Sequence, residues 1–126
     1  MVWKLKTSQK AMEIFKEIDK RFHLKPYVCV KHAIVWSLRE FGPIDSFDTD
    51  SNGIELNRQT ITGDYDIYFK VLIEQVEETQ LSETEYFPQY IKAHIDRGAP
   101  QFLAMLNHAA TLERYVLNGL GVGETV

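Results

Sequence analysis

Cys29 and His32 are the residues that come closest to a reactive or metal-binding pair. They lie one helical turn apart and could share a metal ion, but a zinc site needs four ligands and the other three histidines have no matching spacing. Nothing in the sequence identifies an activated thiolate or an oxyanion hole for a Cys–His nucleophile. We therefore interpret Cys29 as a buried thiol and His32 as a hydrogen-bonded core histidine.

The stretch Asp48-Thr-Asp-Ser-Asn-Gly53 is similar to the first half of a calcium-binding loop. Its twelfth position would be Gln59, where calcium loops use a bidentate Glu, and no predicted helix directly precedes Asp48. Asx turns explain the same residues. The glycines near the C-terminus follow a predicted helix rather than a strand, so they do not form a phosphate-binding loop. The sequence predicts no metal, no cofactor and no enzymatic activity.

Charge is distributed unevenly along the chain, whose net charge is −4. The first 41 residues carry nine positive and four negative side chains, a net of +5, whereas the other 85 carry five and fourteen, a net of −9. Because the local field steers a polyanion, the N-terminal third could meet phosphate while the rest repels it or faces a basic protein. A solvated surface of mixed charge explains the same numbers.

Length and hydropathy indicate one domain. A chain of 126 residues fits a single core, and no apolar run approaches the roughly 20 residues of a membrane helix. The single cysteine excludes an intrachain disulfide, and residues 1–6 lack the apolar stretch of a signal peptide. We expect a cytoplasmic protein.

The first 42 residues predict a strand followed by two helices. Residues 2–6 alternate, with Trp3 and Leu5 inward, which is typical of a strand. Thr7 or Ser8 can cap the first helix, whose predicted buried face consists of Ala11, Ile14, Phe15, Ile18 and Phe22. The second helix runs from Pro26 to Phe41 and ends at Gly42-Pro43. It is apolar around nearly its whole circumference, so we infer that another subunit covers part of it.

The remaining residues predict a long loop at 43–63, with a short extended piece at 54–56, and three more helices. The third helix is capped by Thr62, with Tyr65, Tyr68, Leu72 and Val76 inward and Glu74, Glu77 and Glu78 outward. Ser82 and Glu85 form a capping box for the fourth; Pro88 should kink or divide it, and its predicted buried residues are Phe87, Ile91 and His94 or Ile95. Gly98 should stop that helix and Pro100 begin the last, which carries Phe102, Met105 or Leu106, Ala109, Leu112 and Val116. The prediction is a mainly α single domain at 1–117 with a flexible tail at 118–126.

The order strand–helix–helix is that of ribbon-helix-helix DNA-binding proteins, in which strands from two chains pair and lie in a groove. The N-terminus of the second helix often binds a phosphate there, and Lys25, Tyr27 and Lys31 occupy that end in this chain. The strand lacks Asn, Gln and Arg, which read bases by paired hydrogen bonds, so phosphate contact is favoured over sequence readout. An oligomerisation core without groove contact is the alternative.

The segment from Gly53 to Asp66 reads G-I-E-L-N-R-Q-T-I-T-G-D-Y-D. It resembles the segment Gly-x-Glu-Phe-Asn-Arg-x-Thr-Leu-x-Gly-Glu-Tyr-Asp of DndE-type DNA sulfur modification proteins, and residues 93–98 resemble the His-x-x-Arg-Gly of that family. The resemblance covers residues 2–115. The chain departs from the family in its acidic pI of about 5.5, in Leu56 for phenylalanine and in Lys25 for a threonine-type cap. The matching motif residues are Asn57, Arg58, Thr60, Gly63, Tyr65, Asp66, His94, Arg97 and Gly98.

The resemblance implies a mainly helical, non-enzymatic homotetramer. Such proteins act with the C and D subunits (DndC- and DndD-type) and a cysteine desulfurase to replace a non-bridging phosphate oxygen of DNA with sulfur. Lysine-rich surfaces in the family are associated with nicked duplex DNA, and the corresponding candidates are Lys4, Lys6, Lys20, Lys25 and Lys31.

For the motif loop we expect a structural role, in which Arg58 pairs with Asp64 or Asp66 while Asn57 and Thr62 bind the loop backbone; partner docking is the alternative. Three hypotheses for the chain remain open. They are a DNA-binding scaffold subunit that oligomerises through residues 26–41, a ribbon-helix-helix repressor or antitoxin, and a protein–protein adaptor without DNA binding.

Overall fold

The computed structural model describes residues 3–119. Its elements are β1 (Lys4–Lys6), α1 (Gln9–Phe22), α2 (Pro26–Phe41), β2 (Glu55–Asn57), α3 (Arg58–Ile61), α4 (Asp66–Glu77), α5 (Ile91–Ala109) and α6 (Leu112–Gly119). A short 3-10 turn at Gly63–Tyr65 precedes α4, and an irregular π-type turn at Glu85–Tyr90 precedes α5. The prediction of a mainly α chain that begins with strand–helix–helix is confirmed.

Helix α1 begins and ends where local chemistry predicts. The Ser8 hydroxyl accepts a hydrogen bond from the backbone N–H of Ala11 at 3.1 Å, which satisfies one of the unpaired donors of the first turn. His23 ends the helix in the left-handed conformation, and its N–H donates to the carbonyl of Asp19. Its predicted apolar face is confirmed: Ala11, Ile14, Phe15 and Ile18 are buried and Phe22 packs against the core.

Helix α2 lies along α5, and this pair forms the centre of the core. Ile34 and Trp36 are covered within the chain, whereas Val35 remains 48% exposed and Tyr27 52% exposed. A single chain therefore covers more of α2 than its all-round apolar sequence suggested, and the uncovered part is confined to one side.

Helix α5 is continuous from Ile91 to Ala109, so the prediction that Gly98 stops one helix and Pro100 begins another is wrong. Gly98 is required for close helix packing instead, because a Cβ at this position would lie 1.7 Å from the carbonyl oxygen of Ala33. The missing side chain allows α2 and α5 to approach backbone to backbone. Pro100 is accommodated inside the helix.

Strand β1 pairs antiparallel with β2 of the same chain, with Leu5 opposite Leu56. This differs from a ribbon-helix-helix dimer, where the partner strand belongs to a second chain. Leu5 is buried as predicted, but Trp3 is 59% exposed and its predicted inward position is wrong. Trp3 precedes the paired residues, and its ring lies over the Arg58 guanidinium at 5.8 Å. The extended piece expected at 54–56 is β2; Val2 lies outside the described residues.

Helix α4 is rotated relative to the prediction. Phe69 and Ile73 face the core, whereas Tyr65, Tyr68 and Leu72 of the predicted inner stripe are exposed. Glu77 is not on a solvated side, because its carboxylate accepts from the N–H of Ile44 at 3.0 Å.

The C-terminal part begins with the predicted capping box, since Ser82 and Glu85 each accept a hydrogen bond from the other's backbone N–H. The helix is interrupted around Pro88 as predicted, and Phe87, Ile91, His94 and Ile95 are buried. Leu112 and Val116, expected to lie on the inner face of the last helix, are exposed on the separate helix α6. Of the predicted tail, residues 118 and 119 belong to α6 and residues 120–126 lie outside the described part. Within residues 3–119, no helix has the length and hydropathy needed to cross a membrane.

Candidate functional site

The loop from β2 to α4 is held by its own side chains. Asn57 caps α3, because its side-chain oxygen accepts from the N–H of Thr60 at 2.7 Å. The hydroxyl of Thr62 contacts the carbonyl of Arg58 at 3.2 Å and the carboxylate of Asp66 at 2.6 Å. Gly63 has φ +55°, a left-handed conformation that glycine adopts without strain. These contacts fix the backbone around Arg58.

The Arg58 guanidinium binds two carboxylates. Of the two predicted partners it contacts Asp66, with Nε–Oδ1 and Nη2–Oδ2 distances of 3.0 and 2.7 Å. It also contacts Glu83, with Nη1–Oε2 and Nη2–Oε1 distances of 2.5 and 3.3 Å. The Arg58 side chain is only 10% exposed, and the rings of Tyr86 and Phe87 lie 5.2 and 5.4 Å from it. The cation is thus enclosed by carboxylates and aromatic rings.

Electrostatics keep Asp66 and Glu83 ionised beside the Arg58 cation. Burial raises the pKa of Asp66, but hydrogen bonds from Arg58, Thr62 and Tyr86 more than offset it, so the pKa is lowered. The hydrogen bond from Arg58 lowers the pKa of Glu83. Burial and the neighbouring Asp66 raise the pKa of Tyr86, so the phenol stays neutral. None of these groups exchanges a proton near neutral pH, and the cluster suits a structural role.

The second motif segment supplies a buried hydrogen-bonded row between α2, α4 and α5. Arg97 Nε donates to Ser37 Oγ at 2.8 Å, Ser37 Oγ lies 2.9 Å from His94 Nδ1, and His94 Nε2 lies 3.2 Å from Glu77. The other Arg97 nitrogens donate to the carbonyls of Ser37, Gly42 and Pro43 and so cap the end of α2.

Ser37, His94 and Glu77 have the residue types of a nucleophilic triad but not its accessibility. Ser37 and His94 are 0% exposed, so a substrate cannot reach the hydroxyl. Burial, and then the nearby Arg97, lower the pKa of His94 to about 3, whereas a general base works best with a pKa near the working pH. The row holds three helices together.

The two clusters contain Asn57, Arg58, Asp66, His94 and Arg97, which are among the motif residues through which the sequence resembles a known family. A sequence model described as DNA sulphur modification protein DndE matches residues 4–110, which is most of the chain. The chain belongs to the DndE family. No curated protein matches it.

Two solved DndE structures share its fold. The crystal structure of DndE from Escherichia coli B7A, involved in DNA phosphorothioation modification, superposes with a TM-score of 0.66 at 14% identity, covering 81% of this chain and 97% of that chain. A DndE G21/24K mutant involved in DNA phosphorothioation gives a TM-score of 0.62 at the same identity and coverage.

The five candidate lysines of this DndE-family chain lie in three places. Lys4 and Lys6 are exposed on β1. Lys20 and Lys25 lie where α1 leads into α2, and Lys25 pairs with Asp19 at 3.4 Å. Lys31 is half-buried and donates to the carbonyls of Tyr27 and Thr60 at 3.1 and 2.8 Å, so it connects α2 to α3.

Cys29 is buried in the core of this DndE-family chain, and His32 on the same helix is half-buried. The thiol donates to the carbonyl of Leu24, and burial, with Asp19 nearby, raises the pKa of Cys29 to about 12. The His32 ring stacks on Phe102 and bonds to the hydroxyl of Tyr115 at 2.9 Å, and burial lowers its pKa.

The acidic loop at 48–53 is fastened to the ends of two helices. Asp50 accepts from the backbone N–H of Gln9 and of Asn52 at 2.8 and 3.0 Å, the second being an Asx turn. Asp96, which sequence reasoning missed, accepts from the N–H of Ser8 at 2.9 Å and from Lys92 at 2.5 Å. The i, i+4 spacing of Lys92 and Asp96 was the one available signal. In residues 3–119 no group of three His, Cys, Asp or Glu side chains could hold a metal ion.

Proposed function

We propose that this chain is a non-catalytic, cytoplasmic subunit of a bacterial DNA phosphorothioation machinery. In this role it self-associates and presents its basic N-terminal third to DNA beside the subunits that insert sulfur. The family match over residues 4–110 carries the proposal. The partners are the C- and D-type modification subunits and a cysteine desulfurase.

The chemistry of the described residues supports a non-catalytic role. The Ser37–His94–Glu77 row is closed to solvent, the Cys29 thiol stays protonated, and the Arg58 cluster is neutralised by its own carboxylates. These groups stabilise the fold, and a scaffold requires nothing more of them.

Phosphate contact depends on the lysines that remain accessible. Lys4, Lys6, Lys20 and Lys25 are exposed, whereas Lys31 spends two of its three donors on carbonyls. Lysine ammonium groups bind phosphate as point charges without reading bases. Pairing of β1 with β2 inside the chain also favours this reading over a ribbon-helix-helix regulator.

A salt titration of DNA binding tests the proposal. Fluorescence anisotropy would compare nicked duplex with intact duplex for the wild type, for a variant with Lys4, Lys6, Lys20 and Lys25 changed to Glu, and for the control Arg114→Glu on α6. The slope of log K against log salt is negative, and each lost phosphate contact makes it shallower by about 0.9. The slope of the quadruple variant should therefore be shallower than that of the wild type by about 3 to 4. The control should match the wild type.

Two outcomes would contradict this DNA role. Preference for one palindromic site, with about 1–3 kcal/mol lost per mismatched base pair, would indicate a regulator. No binding at low salt, together with capture of the modification subunits, would indicate an adaptor.

Self-association is proposed through the exposed side of α2, which carries the apolar side chains of Tyr27 and Val35 about two turns apart. Light scattering should give the mass of a tetramer. A monomer at micromolar concentration would contradict self-association without touching the family assignment.

A further inference from the structure

Helix α4 has apolar side chains on the surface as well as in the core. Phe69 and Ile73 are buried, yet large apolar side chains also cover the solvent side. We call this exposed set the α4 face; it consists of Tyr65 (62% exposed), Ile67 (68%), Tyr68 (64%), Val71 (55%) and Leu72 (46%). A surface helix normally carries polar residues there, and a helix apolar all round is normally buried all round.

The α4 face is a continuous strip with an acid at each end. Residues three and four apart are neighbours on a helix, so Ile67 adjoins Val71, and Tyr68 adjoins Leu72. The exposed acids Asp64 and Glu78 stand before and after the strip. Glu78 lies fourteen positions after Asp64, which corresponds to roughly 20 Å along a helix.

The α4 face is large enough for a partner. From the exposed fractions, and with about 200 Å² for a complete aromatic side chain, it presents on the order of 500 Å² of apolar surface. Patches of this size on a monomer are commonly functional. A stable interface buries about 800 Å² per partner, so the face supplies its apolar centre and a rim completes it.

Charge distinguishes the possible occupants. If two copies of the chain paired α4 antiparallel, Asp64 would meet Glu78 of the other copy at both ends. If they paired parallel, each acid would meet its own counterpart. Both arrangements bring like charges together, which costs binding energy. A helix with basic residues at both ends forms an opposite-charge pair at each end instead.

We propose that the α4 face is the docking site for an amphipathic helix of a different protein, one that carries Lys or Arg at both ends of its apolar stripe. The inference rests on the proposed function, because the modification subunits are the source of that helix. The apolar strip supplies affinity, and Asp64 and Glu78 set the register.

Two variants test the site with the C- and D-type subunits co-expressed as the probe. Tyr68→Ser/Leu72→Ser removes the apolar centre from exposed positions and should leave the melting curve unchanged. Capture of the subunits should fall at least about tenfold, as for a hot spot. Asp64→Lys/Glu78→Lys should weaken capture by a similar factor at low salt. The matched control Leu112→Ser/Val116→Ser, an exposed apolar pair at the same i, i+4 spacing on α6, should capture the subunits like the wild type.

The outcomes separate the two claims. A wild type that captures the subunits, with both α4 variants equal to it, overturns the docking site and leaves the proposed function intact. Loss of oligomer mass in Tyr68→Ser/Leu72→Ser, or stronger self-association in Asp64→Lys/Glu78→Lys, overturns it in favour of a second copy. A wild type that captures neither subunit overturns both the docking site and the partner part of the proposed function.

Discussion

Replacing Arg58 with alanine tests whether the motif loop is structural. Truncation removes the cation from between Asp66 and Glu83 and leaves the Asp66 carboxylate, 27% exposed, with only two hydroxyl donors. Breaking a buried ion pair costs about 3–5 kcal/mol. Because Asp66 is partly exposed and keeps two hydrogen-bond donors, the loss of its pair with Arg58 should cost only about 2 kcal/mol. Glu83 is 44% exposed, so its pair adds about 0.5 kcal/mol.

Loss of guanidinium contact with the rings of Tyr86 and Phe87 adds about 0.5 kcal/mol. The free energy of unfolding should therefore fall by about 3 kcal/mol, which in a domain of this size lowers Tm by about 10 °C. Differential scanning calorimetry at pH 7 measures it. Arg58→Lys should recover only part of the loss, because an ammonium cannot bind a carboxylate in a bidentate manner.

Arg21→Ala is the matched control, since Arg21 pairs with Glu17 at 3.3 Å and both side chains are nearly half exposed. It should change stability by at most about 0.5 kcal/mol.

The pKa of Asp66 is lowered in the folded chain. The stabilisation that its carboxylate provides is therefore present at neutral pH and is lost as the pH falls through the pKa of Asp66 in the folded chain. The difference between wild type and Arg58→Ala should shrink accordingly in acid. An Arg58→Ala variant with unchanged Tm and unchanged oligomer mass would refute the structural role and favour partner docking.

Two further predictions concern the packing of α5. Gly98→Ala should lower the free energy of unfolding, measured by urea denaturation, by about 3 kcal/mol or more, because the new Cβ meets the Ala33 carbonyl. The control Gly119→Ala, whose Cβ would have no atom within 4 Å, should leave stability unchanged. Equal effects of the two substitutions would contradict the close approach of α2 and α5. His94 is neutral in the folded chain, with its pKa lowered to about 3, so the unfolded chain binds an extra proton below about pH 6.5. The free energy of unfolding should therefore fall by about 2 kcal/mol between pH 7 and pH 5, and His94→Gln should remove most of that fall. A His94→Gln variant with the same pH profile as the wild type would contradict this role of His94.

Local signals predicted the parts of the fold that local chemistry determines. Ser8, the Ser82–Glu85 capping box and the Gly42 stop lie where the sequence placed them, because each satisfies backbone groups within a few residues. The role of Gly98 was predicted wrongly for the opposite reason. Its neighbours in the sequence indicate a helix stop, but its role is determined by contact with the backbone of α2, more than sixty residues away in the sequence.

Periodicity alone could not orient α4. Two apolar stripes run along this helix, and the sequence does not say which one meets the core; Phe69 and Ile73 do, and Tyr68 and Leu72 do not. A helix that is apolar all round requires a cover on both sides, and α4 fits this rule better than α2, because more of its apolar side chains are exposed. The Arg58–Asp66 pair was among the expected contacts, whereas Glu83 has no sequence signal, since it reaches Arg58 only after the chain reverses.

The earliest residues of the chain depend on some of the latest. The N–H of Ser8 bonds to Asp96, 88 positions further on, and β1 has its hydrogen-bonding neighbour only once β2 has been made. A nascent chain that lacks residues 55–57 therefore has no hydrogen-bonding neighbour for its first strand. Such distant pairing slows folding, because the intervening chain must be ordered first. The lysines of β1 consequently reach their final positions only after residues 55–57 have been synthesised.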